Sequence, residues 1–125
     1  MGPVARQHLF VYGTLRPGDV RWPMLEPFVD DEGVDDSAAG AVFDTGLDYP
    51  AAVFGGEGRL TGRTYRLRAD TVDEALRVLD IEEDTVAGLY RRVEITTGNG
   101  LTAWAYEYGD GLELVPIESG DWFTR

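Results

Sequence analysis

The chain has 125 residues, 43% of them hydrophobic, which suits one domain with a buried core. It contains no cysteine and one histidine, His8, which excludes disulfides, thiolate nucleophiles and Cys-ligated zinc and removes most serine-histidine and His-ligated metal schemes. The net charge of -12 comes from 23 acidic residues against 11 basic ones, all Arg, and leaves no positive stripe to neutralise phosphates, so nucleic acid is not an expected partner.

No run approaches the roughly 18 to 20 apolar residues a membrane helix needs, and residues 1–7 lack the apolar stretch of a signal peptide. A cytoplasmic protein without a membrane partner is the expectation. Without repeats, low-complexity tracts or a Pro/Ser-rich linker, residues 1–125 read as a single unit. The acidic clusters Asp30-Asp31-Glu32 and Asp35-Asp36 lack a spacing that would wrap one ion and read as solvated, self-repelling loop. His8, just before the first strand, is expected to be exposed and idle.

In chain order, Leu9-Phe10-Val11-Tyr12 is a short apolar and aromatic run stopped by Gly13, the pattern of a strand buried on both faces. After Pro17-Gly18 the chain is irregular, with at most a short helix near Pro23 to Val29. Ala38 to Phe43 reads as a second strand, followed by turn residues Asp44 to Asp48. Tyr49 to Phe54 is extended, because a residue before proline is pushed out of the α region. Arg59 to Arg68 alternates, with Leu60, Gly62, Thr64 and Arg66 on one face and Thr61, Arg63, Tyr65 and Leu67 on the other, as in a long twisted strand.

The clearest helix runs from Val72 to about Asp84. Thr71 followed by Glu74 predicts a capping box, and Val72, Ala75, Leu76 and Leu79 make the apolar stripe. Leu89 to Thr96 and Leu101 to Tyr108, separated by Gly98-Asn99-Gly100, predict a hairpin. The tail carries the short apolar run Leu114-Val115-Pro116-Ile117, and Trp122 caps the core. About six strands, one good helix inserted late and no βαβ alternation predict an α+β fold, a small mixed, barrel-like sheet flanked by one or two helices.

Two features could carry chemistry. On a helical wheel with Val72 at zero, Glu83 falls at about +20°, near the apolar stripe, and Glu82 at about -80°. A buried acid at a helix C-terminus, crowded by Glu82 and Asp84, would have its pKa raised toward the range useful for a general acid/base. The alternative is that the helix frays at Ile81 and all three acids are solvated. The loop Gly13-Thr14-Leu15-Arg16-Pro17-Gly18 leaves several backbone N–H groups able to point into a cleft as an anion-binding nest, although spacing alone favours a plain strand-to-loop turn. It lacks the Gly-Lys-Ser/Thr ending of a phosphate-binding loop. Tyr49-Pro50, Tyr90 with Arg92, and Trp104, Tyr106 and Tyr108 read on pattern as strand residues filling a core or a sheet face.

Phe10-Val11-Tyr12-Gly13-Thr14-Leu15-Arg16-Pro17-Gly18 resembles the opening motif of the γ-glutamylcyclotransferase-like (AIG2-like) family, which includes γ-glutamylamine cyclotransferase. Further segments are similar in family order: Tyr49-Pro50-Ala51, Leu79-Asp80-x-x-Glu83, Tyr90-x-Arg92, Ala105-Tyr106 and the closing Ser119-Gly120-Asp121-Trp122. The glycine that follows the family's glutamate is Asp84 in this chain. The resemblance implies a barrel-like mixed sheet and a reaction that releases an amine or amino acid from a γ-glutamyl amide as 5-oxoproline forms, with no metal or organic cofactor. It implies Glu83 as the catalytic acid/base. It also implies Tyr12, Gly13, Thr14, Leu15, Arg16, Tyr49, Pro50 and Tyr106 as substrate-binding residues. The partner so implied is a small γ-glutamyl molecule, met by a monomer or weak homodimer. A non-catalytic binding or regulatory module that retains the pocket is the alternative.

Overall fold

The apolar run at Leu9 becomes the strand β1, His8–Val11, and it is covered on both faces as its pattern requires. The computed structural model describes residues 8–13, 22–46, 50–82, 90–109 and 114–124. His8 opens β1 and is half-buried, so it is neither before the strand nor fully exposed. Helix α1 is a single turn, Trp22–Leu25, followed by a 3₁₀ turn, Glu26–Phe28.

The remaining strands are β2, Val34–Asp44; β3, Pro50–Arg66; β4, Tyr90–Thr96; β5, Thr102–Tyr108; and β6, Val115–Pro116. They form one mixed sheet in the order β4-β5-β1-β3-β2-β6, curled into a half-barrel. β1 and β5 run parallel, and every other pairing is antiparallel.

Six strands were expected, but not these six. The segments at 49–54 and 59–68 form one strand, and the sixth is the tail run, which pairs Val115 and Pro116 with Asp44 and Phe43. β2 is longer than predicted because it takes in the acidic pair. The β2–β3 register jumps from Ala39↔Arg59 to Gly40↔Phe54, leaving residues 55–58 outside the ladder. Gly40 has φ +148°, and a Cβ there would stand 2.4 Å from the Val53 carbonyl oxygen, so the kink requires glycine. Past this kink, residues 50–54 reach the ends of β4 and β5: the Phe54 N–H donates to Glu107 (3.0 Å), and the Tyr90 hydroxyl donates to the Pro50 carbonyl (2.6 Å).

Helix α2, Val72–Glu82, buries its predicted stripe of Val72, Ala75, Leu76 and Leu79 against one face of the sheet, with Leu9, Val11, Tyr65 and Leu67. Phe10, Tyr12, Ala38, Val42, Ala52, Leu60, Ala103 and Ala105 form a second core cluster on the opposite face. Trp122 is buried, as a cap should be. The capping box does not form. The Thr71 carbonyl accepts from Ala75 N–H (2.9 Å), as an N-cap carbonyl does. However, the Thr71 hydroxyl makes no hydrogen bond among the described residues, and the Glu74 carboxylate pairs with Arg77 (3.2 Å).

The expectation that Asp35-Asp36 is loop is also overturned; Asp35 is solvated as expected, but Asp36 is not. Both lie in β2, where alternation sends Asp36 inward with Ala38 and Val42, leaving it 8% exposed. Its Oδ1 accepts from the backbone N–H of Ser37 (2.7 Å) and Asn99 (3.0 Å), and its Oδ2 from the Thr64 hydroxyl (2.7 Å). Burial pushes the carboxyl up. Hydrogen bonds from Thr64 and Thr97 and from the Ser37 and Asn99 backbones outweigh that effect and hold it below the ordinary aspartate range. The clamp ties the tip of the β4–β5 hairpin to β2, joined by Gly98 N–H to the Ser37 carbonyl (2.7 Å). Asp35 pairs with Arg63 (3.0 Å).

Candidate active site

Most of the family-like segments meet at one end of the half-barrel, where β1 and β5 finish side by side. The parallel β1–β5 pairing places Tyr12 beside the end of β5, and the Tyr12 hydroxyl donates a short hydrogen bond to the Tyr106 backbone carbonyl. Tyr106 sends its own side chain to the helix side of the sheet, where its hydroxyl donates to Asp80 Oδ1 of α2 (2.6 Å). The same oxygen forms an ion pair with Arg92 Nε of β4 (3.2 Å). The guanidinium of Arg92 lies 4.7 Å from the centre of the Trp104 ring. Tyr12, Tyr106, Asp80 and Arg92, each from a different segment, thus form one chain of contacts.

Pro50 arrives from β3. Its ring packs against Gly13, where a Cβ would stand 3.0 Å from Pro50 Cδ. Its carbonyl is held by the Tyr90 hydroxyl. Tyr12, Phe54 and Phe10 form an aromatic group on the face away from α2, with the Tyr12 and Phe54 ring centres 6.0 Å apart. Of the expected site residues, Tyr12, Gly13, Pro50 and Tyr106 are therefore brought together or joined through one intermediary. Thr14, Leu15, Arg16, Tyr49 and Glu83 lie outside the described residues. Glu82 is the last described residue of α2.

A cavity of about 370 Å³ opens beside Gly13, lined by Val11, Tyr12, Asp35, Asp36, Thr61, Gly62, Arg63, Asp121 and Phe123. Among the described residues Arg63 is its only cation, and its terminal nitrogens are engaged: Nη1 donates to Asp35 (3.0 Å), and Nη2 to the carbonyls of Glu32 (2.7 Å) and Gly33 (2.9 Å), while the buried Nε–H has no hydrogen-bond partner. A second cavity of about 370 Å³ lies between β4 and the β2–β3 kink, lined by Ala38, Phe54, Val93, Ile95 and Glu107 among others. Glu107 is buried there, its Oε1 accepts from Arg91 Nε (2.9 Å), and the same oxygen forms an ion pair with Arg91 Nη2 (2.8 Å). Among the described residues no group of three or more His, Asp or Glu is placed to hold a metal ion, and no helix is long and apolar enough to cross a membrane.

Asp80 and Arg92 sit inside the family-like segments, but sequence gave neither a role. Asp36 and Glu107 carried a clearer signal: alternation through Asp36, Ala38 and Val42, and through Ala103, Ala105 and Glu107, puts each acid in line with buried neighbours.

The model of a family described as gamma-glutamyl cyclotransferase, AIG2-like, matches residues 9–124. An uncharacterised protein from Pyrococcus horikoshii is similar in structure, with 27% identity, a TM-score of 0.70, and 94% of this chain and 91% of that one covered. An AIG2-like protein from Mus musculus is similar at 20% identity and a TM-score of 0.56, with 90% of this chain and 86% of that one covered. A structure described as a γ-glutamyl cyclotransferase shares the fold at 12% identity and a TM-score of 0.55, with 88% of this chain and 70% of that one covered. No curated protein matches the chain.

Proposed function

Because the chain belongs to the gamma-glutamyl cyclotransferase, AIG2-like family, whose model spans residues 9–124, we propose that it converts a γ-glutamyl amide to 5-oxoproline and a free amine. Membership supports an activity of the cyclotransferase type; the substrate and the residue roles are our own assignment. The observation that carries it is the convergence of Tyr12-Gly13, Pro50, Asp80, Tyr90, Arg92 and Tyr106 through hydrogen bonds, one ion pair and close packing, although they come from five separate stretches of the chain.

In this reaction the nucleophile is part of the substrate. The α-amino nitrogen attacks the γ-carbonyl carbon, a tetrahedral oxyanion forms, and the bond from that carbon to the amide nitrogen breaks. The α-ammonium ends as the lactam N–H and the amide nitrogen leaves as an ammonium, so protons pass from one nitrogen to the other. The protein's task is to fold the substrate into reactive geometry, which contributes roughly 7 kcal/mol or more to lowering the barrier. Glu83 takes a proton from the α-ammonium and returns one to the leaving nitrogen, contributing on the order of 10² to 10⁴-fold. No metal or organic cofactor enters.

The α-carboxylate or the developing oxyanion is assigned to backbone N–H groups of the loop Gly13 to Leu15, and further substrate contacts to Tyr12, Arg16, Tyr49 and Pro50. The state of Arg63 supports a backbone cradle: among the described residues it is the one cation lining the cavity beside Gly13, and both its terminal nitrogens are already taken by Asp35 and two carbonyls, leaving only the buried Nε–H without a partner. Glu83→Gln preserves shape and removes the proton transfer. It is expected to abolish 5-oxoproline formation across a panel of γ-glutamyl amino acids and amines, while Glu82→Gln remains close to wild type. Full activity in Glu83→Gln would overturn the assignment of the acid/base. A folded wild-type protein that forms no 5-oxoproline from any member of the panel would point instead to a binding module.

A further inference from the structure

The last turn of α2 has few apolar means of staying in place. Leu79 is its last buried apolar side chain among the described residues, and Ile81 is 64% exposed. Its final turn also carries no basic residue among those described, so nothing on the helix itself offsets acids that oppose its dipole. What does hold this end is polar: Asp80 accepts a hydrogen bond from the Tyr106 hydroxyl at 2.6 Å and is paired with the charge of Arg92, whose Nε lies 3.2 Å away.

Both partners are themselves restrained. Tyr106 is only 5% exposed, its ring lies in the helix-side core, and its backbone carbonyl accepts the hydroxyl of Tyr12. Arg92 lies over the Trp104 ring. Tyr106 therefore works as a rigid spacer, its main chain fastened to the end of β1 and its side chain to the end of α2. The proposed acid/base, Glu83, is the residue after the last described residue of that helix, and Gly13 is the residue after Tyr12.

We propose that Asp80 and Tyr106 are positioning residues that fix the C-terminal turn of α2 against the Tyr12-Gly13 end of β1, and so set the placement of the acid/base relative to the loop. This rests on the assignment of Glu83 made above. It also gives Tyr106 a different task from the substrate contact expected by resemblance, because its hydroxyl is directed to Asp80. A misplacement of about 1 Å is enough to cost on the order of 10²-fold in a reaction that depends on alignment.

The test uses Asp80→Ala, which removes the acceptor, Tyr106→Phe and the double variant, with kcat and KM for 5-oxoproline release read beside amide hydrogen exchange. Tyr106→Phe deletes only the hydroxyl and keeps the packing. Each single variant is expected to lower kcat about 10 to 100-fold with KM within about twofold. The double variant is expected to be no worse than the poorer single one, because the two act through one hydrogen bond. Exchange should quicken at residues 80–90 and remain unchanged in β1 and β5. Unchanged kcat, or losses in the double variant that multiply, would overturn the proposal. If wild type releases no 5-oxoproline from any γ-glutamyl amide, the functional reading fails on its own, and exchange then decides: quickening confined to 80–90 in both variants sustains the anchor, and unchanged exchange removes it.

Discussion

Gly13 and Pro50 are packed so closely that a Cβ on Gly13 would stand 3.0 Å from Pro50 Cδ and 3.1 Å from Cγ. The loop after β1 and the first residue of β3 are thereby held face to face, with the Pro50 carbonyl held in turn by the Tyr90 hydroxyl. Gly13→Ala forces one side to yield by a few tenths of an ångström. Overpacking of this kind costs about 1 to 3 kcal/mol. The variant is expected to melt several degrees lower and to lose at least about tenfold in 5-oxoproline release, since the cradle shifts with the loop. Melting and activity both at wild-type level would show that the contact has slack and the loop tolerates displacement.

Much of this architecture is legible in local pattern. The stripe of Val72, Ala75, Leu76 and Leu79 fixes the buried face of α2, and the two runs either side of Gly98-Asn99-Gly100 become β4 and β5 in full register. What pattern missed has a common cause. Asp36 looked solvated because it stands in an acidic cluster, yet its neighbours in the alternation are buried, and the donors that make burial tolerable come from Thr64 and from Asn99, 63 residues on. The capping box failed for the converse reason: spacing supplied the residues, but Arg77 offers Glu74 a partner one turn away. At the site, resemblance named Tyr12, Pro50 and Tyr106 separately, while the contacts between them depend on β1 and β5 running parallel and on the break in the β2–β3 ladder at Gly40 of β2. Neither relation is written in the neighbouring residues.

Asp36 gives the protein an acid-sensitive closure. Its folded pKa lies below the ordinary aspartate value, so the carboxylate contributes stability that is complete above the unfolded pKa and is lost as the pH falls through the folded one. The window lies below about pH 4. Asp36→Ala leaves the Thr64 hydroxyl and the Ser37 and Asn99 N–H groups without their acceptor, at a cost of about 2 to 4 kcal/mol, or on the order of 10 °C in melting temperature. Melting followed from pH 7 to pH 3 should show a wide gap between wild type and variant at neutral pH that narrows below about pH 4. A gap that stays constant across that range would show that the carboxylate's charge adds nothing to the clamp.

The two hydrogen bonds through Tyr106 can be separated, because one uses its main chain and the other its side chain. Tyr12→Phe deletes the donor to the Tyr106 carbonyl and leaves the Tyr106–Asp80 bond in place, whereas Tyr106→Phe does the reverse. Losing one such hydrogen bond costs about 0.5 to 1.5 kcal/mol of stability, so both variants should fold. They act on opposite sides of the proposed site. Tyr12 precedes Gly13 in the loop that cradles the substrate, so Tyr12→Phe is expected to raise KM several-fold and lower kcat less, the mark of weakened ground-state binding. Tyr106→Phe loosens the helix end and is expected to lower kcat with little change in KM. Steady-state kinetics on one γ-glutamyl amide, run on both variants, decides it: identical patterns in the two would mean that the loop and the helix end move as one body, and that the division of roles between them is wrong.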